Sequence, residues 1–147
     1  MHVHIPFCND LPLTGTPAFS SINSHLGSEL GQHDDIESLT YVLVYFLRGS
    51  LLWLGVHSVD RVLQLKQGTT MDSLCVGLLD GFRLILEHTR VLAFTQRPDY
   101  ALLQSYIQDI CATLPDADDT TFDWHRNYPS SPATIVVTLL VTFKGCA

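Results

Sequence analysis

Positive charge is what this 147-residue chain has least of. Eight lysines and arginines stand against fifteen Asp and Glu, for a net charge of −7 with histidine neutral. Lys66 and Lys144 are the only lysines. Nucleic-acid binding needs a clustered basic face to neutralise phosphates, so no nucleic-acid partner is expected. Cysteine is also sparse. Cys8, Cys75, Cys111 and Cys146 are widely spaced and form no CxxC pair. That spacing speaks against a zinc site and against a disulfide framework. Isolated thiols suit a reducing compartment, so a cytoplasmic or nuclear location is expected. His2 and His4 have no carboxylate or thiolate at ligand spacing, and no metal is expected. Met1 to Asp10 lacks a basic stretch followed by an apolar core, so no signal peptide is expected. The apolar run Thr134–Phe143 falls well short of the roughly 20 residues that cross a bilayer, so no membrane association is expected. Ser20 and Ser21 lack a G-x-S-x-G context, which removes the usual serine nucleophile.

What remains fits one globular domain with a real core. The apolar content is 46%, too high for a disordered chain. Met1 to Leu26 has no helical periodicity and carries Pro6, Pro12, Gly15 and Pro17, which predicts an extended loop. Asp34 and Glu37 have the spacing of a capping box, with Asp in the Ser/Thr place. They predict a helix over about Asp35 to Arg48, stopped by Gly49. Leu39, Val42, Leu43, Val44, Phe46 and Leu47 leave the second half of that helix no polar face, so it must be covered on most sides.

Weaker signals follow. Val56 to Lys66 reads as a helix with Val59, Val62 and Leu63 on one face, interrupted at Gly68-Thr69-Thr70. Met71 to Val76 reads as a short helix. Phe82, Ile85, Leu86 and Thr89 mark the next. Pro98-Asp99 opens an amphipathic helix with Leu103, Tyr106, Ile107, Ile110 and Leu114 at three- and four-residue spacing, ended by Pro115. Ser130, Ser131 and Pro132 form a breaker. The β-branched run after them suggests a strand or an unstructured tail. No internal repeat or low-complexity segment is present.

The run Leu13 to Gly55 also carries a family signal. Gly15-Thr16 with Ser21-Ile22-Asn23 and His25-Leu26-Gly27, then Asp34-Asp35-Ile36-Glu37-Ser38-Leu39, Tyr45-Phe46, Arg48-Gly49-Ser50-Leu51, Trp53 and Gly55, resembles the segment after the activation loop of casein kinase 1-type Ser/Thr protein kinases. Leu74-Cys75, Gly77, Phe82, Arg90, Leu92 and Phe94 continue at the family's spacing. Pro98-Asp99-Tyr100 looks like the start of its final helix, Phe122-Asp123-Trp124 like its end, and His4-Ile5-Pro6 like the tail of the activation segment. The resemblance covers about residues 4–124 and leaves 125–147 as an unassigned tail. It implies a mainly α fold: a partial kinase C-lobe with a central buried helix, further helices packed on it, and no N-lobe.

The resemblance also defines what is missing. A kinase of this type uses a Gly-rich loop over the phosphates, a strand lysine paired with a helix glutamate, a catalytic aspartate and asparagine, and a metal-binding DFG aspartate. No GxGxxG is present, and both lysines follow the substrate loop. His125-Arg126-Asn127 and Asp80-Gly81-Phe82 are read as chance echoes of HRD and DFG. No catalytic residue is therefore assigned, and no cofactor is expected for this chain alone, ATP and Mg belonging to the intact family. The resemblance implies that Gly15 and Thr16 line the substrate loop, with Thr16 either hydrogen-bonding a catalytic aspartate or serving as a plain loop threonine. Asp35 is either a brace for the catalytic loop or a carboxylate favoured by the helix dipole. Arg90 is expected in a surface ion pair rather than paired to a loop acid, and Trp53 in the core or an interface. Ala18 stands where the family carries an arginine, and the basic linker is reduced to Arg61 and Lys66, which weakens phosphate recognition by paired cations.

Three functional expectations follow: a truncated kinase-like chain inactive alone, a pseudokinase-type interaction module, or a segment of a longer active kinase. In the second, a protein partner would sit on the exposed C-lobe face. Each of Leu39, Leu43, Phe46 and Leu47 left open forgoes about 1.5–3 kcal/mol, a large share of the roughly 5–15 kcal/mol that typical domains possess.

Overall fold

The computed structural model describes residues 5–114 and contains six α-helices and no strand among them. They are α1 (Ile22–His25), α2 (Gln32–Arg48), α3 (Val59–Gly68), α4 (Met71–Leu74), α5 (Asp80–Arg90) and α6 (Tyr100–Thr113). The helical class matches the reading of the sequence. The breaker at Ser130, the run Thr134–Phe143, Pro115, Phe122-Asp123-Trp124, His125-Arg126-Asn127, His2, His4 and Lys144 lie outside the described residues.

The central element is α2. It starts three residues before the capping pattern suggested, because Asp34 occupies the third helical position rather than the cap. Its Oδ2 accepts the Gly31 amide at 2.8 Å, and its own amide donates to the Gly31 carbonyl at 3.0 Å. The helix ends where expected. Gly49 adopts φ 72°, a left-handed turn that glycine enters without a Cβ penalty, and its amide returns to the Tyr45 carbonyl. Tyr41 and Val44 are fully buried and Leu43 nearly so. Leu39 and Phe46 are 42% and 38% exposed, so one stripe of this apolar helix stays open.

Helix α5 lies between α2 and α6. Phe82, Ile85, Leu86 and Thr89 are all buried, as their spacing predicted. Gly81 explains itself through packing rather than chemistry. A Cβ there would sit 2.7 Å from Ile110 Cδ1 and Cγ1 on α6, so glycine permits the close approach of the two helices. On α6, Asp99 caps the Leu102 amide at 3.0 Å. Leu103 and Ile110 are buried, while Tyr106, Ile107 and Leu114 are only half-buried.

Three boundaries moved for local reasons. Ser58 caps the Arg61 amide, so α3 begins at Val59 and leaves Val56 outside. Helix α4 stops at Leu74, and Gly77 turns the chain with φ 77°. The first 26 residues are not wholly a loop, because Ser21 accepts the Ser24 amide and nucleates α1. That cap is a local contact three residues long, in a region with no apolar period to announce it.

Candidate functional site

The loop Leu13–Ser21 is held from three sides. Its own turn closes when the Phe19 and Ser20 amides and the Ser20 hydroxyl converge on the Thr16 carbonyl at 2.9, 3.0 and 3.1 Å. Ser24 on α1 clasps the loop's start. Its hydroxyl donates to the Thr14 carbonyl at 2.9 Å and accepts the Thr14 amide at 3.1 Å. The far side of the loop is fixed by residues distant in sequence. Trp53 Nε1 donates to the Ala18 carbonyl at 2.7 Å. Lys66 Nζ donates to the Pro17 carbonyl at 2.8 Å and to the Ser20 carbonyl. These bonds leave Gly15, at φ 90°, and Thr16 exposed on the loop.

Trp53 is 1% exposed and stands edge-on to Tyr41, with centroids 5.3 Å apart. Its NH therefore needs a protein acceptor, and Ala18 supplies one. Lys66 is fully buried, with the Tyr41 and Trp53 rings 4.8 and 5.5 Å from Nζ. Burial drives its amine down to about 7, with Arg90 adding to the fall and Glu37 opposing it. Two ring faces return about 2 kcal/mol to a desolvated cation. Removing an ion from water costs several kcal/mol, and no carboxylate among the described residues touches Nζ, so desolvation wins.

Beneath the loop lies a second network. Arg90 Nε donates to Glu37 Oε1 at 3.2 Å and its terminal nitrogen to the Tyr41 hydroxyl at 2.7 Å, while that hydroxyl donates to Glu37. Arg90 is thus no surface pair. Its side chain is 18% exposed and that of Glu37 5%, because α5 presses the last turn of its buried face against α2. Burial pushes the Tyr41 hydroxyl well above the ordinary range, with Glu37 adding to the rise and Arg90 opposing it.

Asn23 Nδ2 donates to Asp34 Oδ1 at 3.0 Å, tying α1 to the start of α2. The buried carboxylate here is Asp34, at 1% exposure, whereas Asp35 is exposed in the first turn of the same helix. Of the residues singled out from the sequence, Gly15 and Thr16 lie together on the loop, and Trp53 grips that loop from below. Arg90 reaches it only through Tyr41 and Trp53, and Asp35 takes no part. Sequence reasoning finds Asn23, His25 and Glu37 as motif residues and Lys66 as part of the basic linker, and misses their place in the networks around the loop. One signal existed for Lys66: it follows the apolar Val62 by four residues, which puts a lysine on a helix's buried face.

No protein-family model matches the chain. Casein kinase I homolog 2 of Schizosaccharomyces pombe is 39% identical over 127 residues, covering 82% of this chain and 29% of that protein. Casein kinase I homolog 1 of the same yeast is 38% identical over 128 residues, covering 83% of this chain and again 29% of the relative. These residues are a casein kinase I-type segment. The chain spans less than a third of the length of the relatives it matches.

For a casein kinase I-type segment, Mg·ATP is the implied ligand. The described residues do not fit it. Lys66 spends its hydrogens on loop carbonyls, and the buried Asp34 is engaged by Gly31 and Asn23. No group of three or more His, Cys, Asp or Glu among the described residues could hold a metal ion. No helix among them is long and apolar enough to cross a membrane.

Proposed function

We propose that this chain carries the substrate loop and helical scaffold of a casein kinase I-type Ser/Thr kinase and by itself transfers no phosphate. The observation that carries this reading is the loop itself. Trp53, Lys66 and Ser24 hold Leu13–Ser21 by bonds made wholly within the described residues, with Gly15 and Thr16 facing solvent. Phosphoryl transfer relies on positioning and charge stabilisation by groups that the sequence lacks. A substrate face without those groups is a platform and not a catalyst. Isothermal titration of the chain with Mg·ATP tests it. No heat of binding is expected, and saturable binding at a one-to-one ratio overturns the inactive reading.

A second reading draws on the open stripe of α2. Leu39 and Phe46 are exposed large apolar groups on the longest helix, which suits a non-catalytic module that docks a protein partner there. The same stripe would be covered in a longer active kinase, a reading that the relatives' greater length supports. A longer product of the same gene with a catalytic aspartate ahead of His4, and kinase activity lost when that aspartate is changed, would favour the longer kinase. A defined partner whose binding is abolished by Phe46→Gln, in a chain without ATP affinity, would favour the module.

A further inference from the structure

The hydrogen count around Lys66 constrains its charge. Among the described residues Nζ has three polar neighbours: the Pro17 carbonyl at 2.8 Å, the Ser20 carbonyl, and His25 Nε2 at 3.2 Å. His25 Nε2 also lies 2.9 Å from the Pro17 carbonyl. A carbonyl oxygen only accepts, so Nε2 must carry the hydrogen that makes this a bond. Nε2 then has no lone pair left for Lys66. The contact between the two nitrogens closes only if Nζ accepts, which an ammonium cannot do and an amine can. An uncharged Lys66 accommodates these contacts with two N–H bonds to the carbonyls and a lone pair that shares the one Nε2 hydrogen with the Pro17 carbonyl in a three-centre bond. A charged Lys66 would leave two acceptors facing each other at 2.9 Å. It would also put a hydrogen on His25 Nδ1, which is buried with no partner.

We infer that Lys66 is a positioning residue for the Pro17–Ser20 turn, which it braces as an uncharged amine, and that proton uptake by the Lys66–His25 pair releases the turn. The groups facing this pair are Glu37 and Tyr41 from α2, Arg90 from α5, and the Trp53 ring. Glu37 is bonded to Tyr41 and Arg90, so its charge is already answered. The direction of the effect is fixed by linkage. A base held uncharged in the braced state and charged when freed makes the brace tighter as pH rises between the two ionisations. Burial lowers both groups, so acid loosens the turn in each case. The inference concerns order in the loop and does not depend on the kinase reading.

Two measurements on the full chain test it. Labelling with 13C-lysine gives only two side-chain signals, from Lys66 and Lys144, and Lys144→Arg leaves one. Its carbon shift is expected to titrate near pH 7. A midpoint near the ordinary value of about 10.4 overturns the uncharged state. Hydrogen exchange of the Phe19 and Ser20 amides, which bond to the Thr16 carbonyl, reads the turn. After correction for intrinsic rates, protection is expected to rise about tenfold per pH unit above pH 7, or about a hundredfold by pH 9. The Leu103 amide on α6 should rise less, and Lys66→Met should abolish the difference. Equal protection at pH 7 and 9, a rise shared fully by Leu103, or a rise that persists in Lys66→Met overturns the bracing role. Should Lys66→Met not fold, the carbon titration and the comparison with Leu103 still decide.

Discussion

Arg90 Nε lies 3.2 Å from Glu37 Oε1, joining the last residue of α5 to the first half of α2 across 53 residues of sequence. Both groups also hold the Tyr41 hydroxyl. Tyr41 in turn stands against Trp53, whose NH holds the Leu13–Ser21 loop through the Ala18 carbonyl. A charge pair between two helices is therefore connected to the exposed loop through two aromatic rings.

That connection makes Arg90 costly to remove. Arg90→Ala should lower unfolding free energy by about 2–4 kcal/mol, somewhat below the full value for a buried pair because Arg90 keeps partial contact with water. Urea denaturation followed by circular dichroism reads it. A loss under about 1 kcal/mol is the surface-pair value and would contradict the burial described.

Gly81 should be intolerant of a single methyl. Gly81→Ala places carbon 2.7 Å from two Ile110 carbons, and overpacking of this kind costs about 1–3 kcal/mol. Adding Ile110→Val should recover part of that loss, because the two positions share one contact. Additive losses in the double mutant would show that α5 and α6 do not meet at Gly81.

The two sides of α2 should respond differently. Leu43→Ala, on the buried side, is expected to cost about 2–5 kcal/mol. Leu39→Ala, on the open stripe, should cost well under about 1 kcal/mol. Thermal melts of the two variants compare them directly, and equal losses would mean that Leu39 is covered in solution.

Cysteine chemistry offers a pH test with a definite sign. Burial pushes the Cys75 thiol up to about 11, with nearby arginines pulling the other way. The fold thus favours the neutral thiol. That contribution is complete below the ordinary value of about 8.5–9 and is lost as pH rises toward 11. At pH 8, iodoacetamide should modify the exposed Cys8 and spare Cys75 until denaturant is added. Peptide mapping by mass spectrometry separates the two. Equal labelling of Cys75 in the native chain would show the core to be open there.

Much was legible in the sequence because it is local. The stripe Phe82, Ile85, Leu86 and Thr89, the stop at Gly49 and the opening of α6 at Asp99 each rest on residues within one or two turns of each other. Side-chain period and backbone freedom determine such features without reference to the rest of the chain. The motifs from Gly15 to Tyr100 named the family for the same reason, since their order and spacing are properties of the linear chain.

Tertiary structure decided the rest. Whether Asp34 or Asp35 is the engaged carboxylate depends on where Asn23 and Gly31 arrive, 11 and three residues away. Whether Arg90 pairs in water or in the core depends on how closely α5 approaches α2. The charge of Lys66 depends on two carbonyls and an imidazole brought from 41 to 49 residues away. Protonation and burial are set by the summed field and dielectric of neighbours in space. No window along the chain contains that sum, and only the folded packing of α1, α2, α3 and α5 assembles it around the loop.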